Sequence, residues 1–289
     1  MAPFKDYTYT HFLVTSPSPF VAHVEINRPQ KLNAFSEPVW REFATVFDRL
    51  SHDPDVRAVV LSGAGDRAFS AGLDVQDAVN SPLGADLGGD PARYATNMRR
   101  HITEFQDAIA AMEKCEKPVV CVLHGISIGI AIDISCCADV RIAARNTRFA
   151  VKEVDIGLAA DLGTLSRLPK LVGSTSWVKD VCLSARDFSA DEALAVGFVS
   201  QVHDSKDAAV AAGTKWAEFV ASKSPVAVQG TKELLNHARD HSVAENFADC
   251  VALDLRYTTI WNAAMLQSSD TKTALMSGLQ KKKPTFEKL

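Results

Sequence analysis

The sequence predicts an α/β protein in which repeated ββα units build a core and a helical region completes the C-terminal side. Three observations predict it. Up to about residue 151, short apolar or alternating runs with strand character are separated by helical patterns. From Leu162 onward most of the pattern is helical. The chain has 289 residues, 47% of them hydrophobic and 23% charged, which is enough to bury a substantial core. The core is placed at residues 1–210 and the helical region at 211–289.

Taken in order, residues 12–15 and 21–26 read as a hairpin, and Asn27-Arg28-Pro29 stops its second strand. Ser36-Glu37-Pro38 opens a helix running through Leu50, with Ser36 at the cap and Pro38 in the first turn. Residues 56–62 form a buried strand that ends at Gly63-Ala64-Gly65. Residues 76–92, rich in Gly, Pro, Asn and Asp, are expected to form a mobile loop. A long helix follows over 94–114, then a buried strand over 118–123 that runs through His124-Gly125 into an apolar helix around 129–137. Residues 140–143 and 148–151 are short strands. Helical patterns then cover 165–171, 189–196, 206–222, 225–237 and an amphipathic stretch over 243–267.

Lys plus Arg number 31 and Asp plus Glu 35, a net charge of -4, which argues against a sequence-independent nucleic-acid binder. No apolar run reaches the ~20 residues that span a bilayer. The six cysteines show no CxxC pair and no zinc-finger spacing. Free thiols in a reducing compartment are expected, with no disulfide framework and no metal site. The N-terminal MAPFKDYTYTHF has neither a signal-peptide apolar stretch nor an Arg-rich amphipathic pattern. The ending Glu287-Lys288-Leu289 differs by one residue from a Ser-Lys-Leu address and points to the peroxisome, with mitochondrion and cytoplasm as alternatives.

Two strand-to-helix junctions stand out as candidate sites. One is Phe69-Ser70-Ala71-Gly72-Leu73-Asp74, and the other runs from His124 through Gly129-Ile130-Ala131. Small residues there let backbone N–H groups approach a ligand, and two converging on one oxygen make an oxyanion hole. Three acids follow. Asp133 lies inside an apolar helix, where a carboxylate is costly unless paired, protonated or lining a cavity. Glu153 and Asp161 bracket an apolar segment, and carboxyls in such surroundings suit proton transfer near neutral pH. Asp161 reads equally well as a cap for the helix after it. Asp155 reads as a structural acid paired with Arg148 or Lys152, and His124 as a packed structural histidine. With no phosphate-binding glycine loop and no nucleophile elbow, these residues support cofactor-free proton transfer.

These motifs resemble the crotonase, or enoyl-CoA hydratase/isomerase, superfamily. The resemblance rests on Asn27-Arg28-Pro29 with Leu32-Asn33-Ala34-Phe35, on residues 68–74, on Pro118-Val119-Val120 with His124-Gly125, and on residues 138–143. Residues 151–165, 222–230 and 239–243 are similar to the Δ3,5-Δ2,4-dienoyl-CoA isomerases of fatty-acid β-oxidation. The resemblance implies a crotonase-like spiral of ββα units and homotrimers or hexamers, with residues 211–289 packing between subunits. It implies an acyl-CoA substrate and no separate cofactor, CoA being part of the substrate. Leu73 and Ile130 fall at the two oxyanion N–H positions, and Asp133 and Glu153 where hydratases carry two catalytic glutamates. Asp161 falls where the isomerases have a catalytic Asp and hydratases usually have Gly, which favours isomerase. Ala71, Gly72, Leu73, Asp74, Val75 and Gly129 are expected at the substrate, and Lys31 or Lys281–Lys283 at the CoA phosphates. Ile130 departs from the usual Gly-Gly. In the implied reaction Glu153 removes a C2 proton, Asp161 protonates C6, and Asp133 orients Glu153. The competing readings are a 2-enoyl-CoA hydratase and a non-catalytic binding protein of the same fold.

Overall fold

As the chain winds, it lays one strand of each unit in a large sheet and the next in a small one. The computed structural model describes residues 2–3, 6–79, 90–241 and 253–289. A hairpin of β2 (Phe12–Ser18) and β3 (Val21–Ile26), edged by β1 (Ala2–Pro3), leads through α1 (Glu37–His52) to the first unit. That unit is β4 (Ala58–Gly63), β5 (Ala68–Ser70), α2 (Val75–Val79) and α3 (Pro91–Lys114). The second is β6 (Val119–Leu123), β7 (Ile126–Ile128) and α4 (Ile130–Cys136). The third is β8 (Val140–Ala144), β9 (Arg148–Ala150), α5 (Thr164–Leu171) and α6 (Thr175–Ser184). Then follow β10 (Phe188–Ser189), α7 (Ala190–Ala195), β11 (Gln201–His203) and the helices α8 (Lys206–Ala221), α9 (Pro225–Asp240), α10 (Leu253–Met265) and α11 (Ser269–Leu279).

The large sheet runs β1-β2-β3-β4-β6-β8-β11 and is parallel from β3 onward. The small sheet runs β10-β9-β7-β5, with β5, β7 and β9 parallel. β4 and β6 are buried at every position, which is why they read as continuous apolar runs: a parallel sheet is covered on both faces. One face meets α1 and the phenylalanine cluster, where Phe43 packs on Phe47 in a tilted pair at 4.7 Å between ring centroids. The other carries Val60, Val120, Val122 and Ile142 against Ala209 and Ala217 of α8. α1 presents Val39, Trp40, Phe43, Val46, Phe47 and Leu50 on one stripe, the spacing of an amphipathic helix.

The hairpin, α1 and the buried strands lie where the sequence puts them. Four features differ, and a fifth is described only in part. Residues 75–79 are helical, so the expected loop over 76–92 is helix at both described ends, and residues 80–89 lie outside the described residues. The strands β5, β7 and β11 are three residues long, too short to leave a periodic signal. The helix α6 was not anticipated, because its buried Val178, Val181 and Cys182 make only a thin apolar stripe. The amphipathic stretch over 243–267 is described only from α10 onward, and α11 follows it as a separate helix. The division at 210/211 falls inside α8, which runs unbroken along the large sheet. Beyond α11 the tail returns to the body: the buried Arg57 guanidinium donates to the carbonyls of Phe286 and Glu287 at 2.8 and 2.9 Å, and Lys288 pairs with Asp55.

The described cysteines, Cys115, Cys121, Cys136, Cys137 and Cys182, are free and buried, while Cys250 lies outside the described residues. Among the described residues no helix is long and apolar enough to cross a membrane.

Candidate active site

The small sheet assembles the site. Its strands β5, β7 and β9 are parallel neighbours, so the segments that leave their C-terminal ends emerge side by side. After β5 come residues 71–74, after β7 Gly129 and Ile130, and after β9 the 3-10 turn Glu153–Ile156. The Gly129 N–H donates to the Ala150 carbonyl at 3.0 Å and fastens the second segment to the third. A cavity of about 310 Å³ opens where they meet. Ala71, Gly72, Leu73, Val75, Gly129, Ile130, Glu153 and Asp161 all line it.

The segment 27–35 straps the first junction. The Asn33 side chain donates to the carbonyls of Ala64 and Ala68 at 3.0 and 2.8 Å and accepts the Arg28 N–H at 2.9 Å. Ala71 N–H donates to Leu32 O, Phe35 N–H to Gly72 O, and Asp74 N–H to Phe35 O. This pattern passes over Leu73, whose N–H is left without a backbone partner among the described residues. Ile130 is the first residue of α4, so its N–H has no intrahelical acceptor. Gly72 and Gly129 both have positive φ, at 90° and 57°, a conformation glycine adopts without steric cost, and each immediately precedes one of these two residues. Two unused donors thus flank one cavity, the arrangement an oxyanion requires.

Glu153 is half-buried, and its Oε2 is fully enclosed with no hydrogen-bond partner. A β-carbon on Gly129 would lie 3.6 Å from Glu153 Oε1, so the carboxyl sits against the second junction. Burial, reinforced by the charge of Asp161, pushes its pKa above the ordinary glutamate value. An unpartnered buried carboxylate oxygen is expensive to keep for structure alone and is what a base awaiting its proton looks like. Asp161 stands on the same cavity, exposed to solvent at its rim, and burial raises its pKa as well.

Asp161 is not the cap of the helix that follows it. The cap position of α5 is Gly163, and the carboxylate at that helix end belongs to Asp133, whose Oδ1 accepts Thr164 N–H at 2.8 Å and Thr164 Oγ1–H at 2.7 Å. Asp133 is 1% exposed and lies outside the cavity lining. Burial and then the nearby Glu153 push its pKa up to about 7, against the opposing pull of the Thr164 bonds. Its hydrogen bonds therefore run to Thr164, whereas the sequence led us to expect an orienting contact with Glu153. Asp74 also lies outside the lining: it is buried in an ion pair with Arg28 at 3.2 Å. Asp155 pairs with Lys152 at 3.2 Å, and Arg148 with Asp187 at 2.8 Å. His124 is buried, with Nε2 at 2.9 Å from the Gly65 carbonyl, and burial lowers its pKa to about 4, so it is a neutral packing residue. Lys31 holds Gln76 at 2.8 Å on the surface.

Sequence reasoning missed the apolar wall of the cavity. His101, Ile102 and Phe105 of α3 line the cavity, with Ile156, Leu158 and Leu162. Phe105 is stacked on Trp40 of α1 at 4.8 Å, which fixes that wall. The spacing of Ile102, Phe105, Ile109 and Met112 marks an apolar stripe, but a stripe does not say whether it faces core or ligand. Gln106 Nε2 donates to the Asp161 carbonyl at 2.5 Å, so α3 also braces the segment that carries the second acid.

A family model described as enoyl-CoA hydratase/isomerase matches residues 18–288. The mitochondrial Delta(3,5)-Delta(2,4)-dienoyl-CoA isomerase of Pongo abelii is 43% identical over 287 residues, covering 98% of this chain and 84% of that protein. The peroxisomal Delta(3,5)-Delta(2,4)-dienoyl-CoA isomerase of Arabidopsis thaliana is 39% identical over 269 residues, 93% of each chain. The crystal structure of an enoyl-CoA hydratase from Bacillus anthracis has a TM-score of 0.83 at 23% identity, covering 96% of this chain and 99% of that one, a likeness of fold.

Proposed function

Since this chain belongs to the enoyl-CoA hydratase/isomerase family, we propose that its site works as that of a Δ3,5-Δ2,4-dienoyl-CoA isomerase in fatty-acid β-oxidation. The observation that carries the reading is the pairing of Glu153, its Oε2 buried and unpartnered, with Asp161 on one cavity that also holds two unused N–H donors. A non-catalytic binding module has no need of that arrangement, and the second acid at position 161, where hydratases usually have Gly, favours the isomerase over a hydratase.

The thioester carbonyl oxygen of a 3,5-dienoyl-CoA accepts from Leu73 and Ile130 N–H. Each such donor is worth roughly 3–4 kcal/mol to the developing enolate. The polarised thioester acidifies C2, and ionised Glu153 takes its proton. The electron pair spreads through the conjugated system to C6, where protonated Asp161 delivers a proton, leaving the 2,4-dienoyl-CoA. One turnover thus protonates Glu153 and ionises Asp161. The solvent exposure of Asp161 supports its reloading from water. Burial raises both carboxyls, and the repulsion between two neighbouring negative charges favours the state in which only one of the pair is ionised. No separate cofactor is needed, and CoA enters and leaves with the substrate, its phosphates near Lys31 or Lys281–Lys283.

The assembly is a homotrimer or hexamer, with the helices that follow α8 packing between subunits. Supporting this, Ile260, Leu275 and Leu279 of the C-terminal helices and Leu266 of the turn between them are 60–80% exposed in the single chain, an apolar surface that a partner subunit would cover. For the compartment we propose the peroxisome, with mitochondrion and cytoplasm as alternatives. The plant relative is named peroxisomal and the animal one mitochondrial.

The deciding experiment is an ultraviolet assay with 3,5-octadienoyl-CoA, since the product brings the diene into conjugation with the thioester. Rising absorbance with purified chain supports the reading. Hydration of crotonyl-CoA without any change in the dienoyl ester would replace it with a hydratase.

A further inference from the structure

We infer that Thr164 is a positioning residue: by holding Asp133 through both its backbone N–H and its hydroxyl, it locks the helix that begins at Ile130 to the segment that presents Asp161. The inference rests on the isomerase reading above. Both partners are enclosed, Asp133 at 1% and Thr164 at 0% exposure, and both bonds reach the same Oδ1, at 2.8 and 2.7 Å. Neither residue lines the cavity, so neither meets the substrate.

What the pair joins gives it a role. Asp133 stands three residues after Ile130, the second oxyanion donor, and Thr164 stands three residues after Asp161. Among the described residues, no other side-chain hydrogen bond ties α4 to the segment running from Asp161 into α5. The reaction needs the thioester oxygen and C6 held at once, one at Ile130 and the other at Asp161. The distance between those two points is therefore a catalytic variable, and a 1 Å error in such a geometry costs up to about a hundredfold in rate.

The hydroxyl also bears on charge. Asp133 faces Glu153 from the 3-10 turn, Asp161 from the loop, Cys182 from α6, and Cys136 and Cys137 at the end of its own helix, with Arg167 of α5 beyond those two thiols. Burial and the two acids favour the protonated form of Asp133, while the Thr164 donors and the start of α5 favour the anion. Taking away the hydroxyl tips Asp133 further toward protonation and lightens the negative charge near Glu153.

Thr164→Val keeps the volume and the backbone donor and removes only the hydroxyl, and Thr164→Ser returns it. With the full-length chain, kcat for 3,5-octadienoyl-CoA should fall about tenfold in Thr164→Val with KM changed by less than about twofold, and Thr164→Ser should recover most of the loss. The Asp133 carboxyl, followed by carbon-13 NMR, should titrate at higher pH in Thr164→Val and at the wild-type pH in Thr164→Ser. Thr164→Ala supplies a second hydroxyl-free chain should the valine variant not fold. Wild-type kcat and an unmoved carboxyl titration in a hydroxyl-free variant overturn the positioning role. So does equal loss in the valine and serine variants, which would make Thr164 mere packing. A wild-type chain that turns over no dienoyl-CoA overturns the isomerase reading and takes the positioning role with it, whereas an active wild type with an indifferent Thr164→Val overturns the positioning role alone.

Discussion

Gly72 and Gly129 stand back to back: a β-carbon on Gly72 would lie 3.7 Å from the Gly129 Cα, and one on Gly129 would lie 3.6 Å from the Gly72 Cα. The two halves of the oxyanion site are thus in van der Waals contact, although they lie more than fifty residues apart in the chain. Both glycines also hold positive φ, so neither position readily accepts a side chain.

The two glycines should not tolerate alanine equally. At Gly72 the new methyl would be 3.1 Å from the Ile128 carbonyl oxygen, backbone that cannot step aside, and φ is 90°. At Gly129 the nearest atoms are at an ordinary 3.6 Å, and the penalty is the backbone strain alone, about 1–3 kcal/mol. Gly72→Ala is expected to lose more kcat/KM on the dienoyl ester and more thermal stability than Gly129→Ala. A reversed order in parallel kinetics and melting curves would contradict the geometry.

Asp161→Asn removes the proton donor and leaves the hole and the acyl wall in place. Isomerisation should drop by about 10²–10⁴-fold, with CoA-ester affinity by calorimetry nearly unchanged. Undiminished turnover would take Asp161 out of the reaction.

Glu153→Gln should stop the exchange of C2 hydrogens with deuterated water in the bound ester, because the enclosed carboxyl is the base at that carbon. Continued exchange at the wild-type rate means that another group does the work. In the wild type, the acid limb of kcat/KM should lie above the ordinary glutamate value, since burial favours the protonated form and the base must be ionised to act.

Asp133 makes stability depend on pH in a stated direction. Its pKa is raised in the fold from 3.8 to about 7, so the folded chain binds the proton more tightly than the unfolded one. The stabilising contribution is full below pH 4, is lost as pH rises from about 4 to about 7, and amounts to roughly 4 kcal/mol over the whole range. Asp133→Asn keeps an oxygen for Thr164 and cannot ionise. Urea unfolding should show it level with the wild type near pH 4 and more stable at pH 8. A pH-independent difference would place the Asp133 pKa elsewhere.

Legibility in the sequence followed the range of the interactions. The strand Val119–Leu123 was plain because a strand buried on both faces must be apolar throughout, and α1 because one stripe of a helix must be. Glu153, Asp161, Leu73 and Ile130 were reached through motif resemblance and through acids set in apolar surroundings, and the structure gathers all four on one cavity. His101 and Phe105 were not reached, because a helical stripe looks the same whether it faces core or ligand. The alternative reading of Asp161 as the cap of α5 falls for a related reason. Asp161 precedes that helix in the chain, but Asp133, thirty-one residues upstream of Thr164, arrives there through space.

By itself the sequence determined the alternation of strands and helices, the apolar runs that had to be buried, and the acids and small residues available for chemistry, because each of these is a property of the residues themselves or of their near neighbours along the chain. Only the tertiary structure decided that the ends of β5, β7 and β9 stand side by side, that Leu73 is the residue whose N–H is passed over, that Asp74 is occupied by Arg28, and that Asp133 serves Thr164. Those outcomes depend on parallel pairing between distant strands and on which polar groups lose their water together. No local pattern encodes either one.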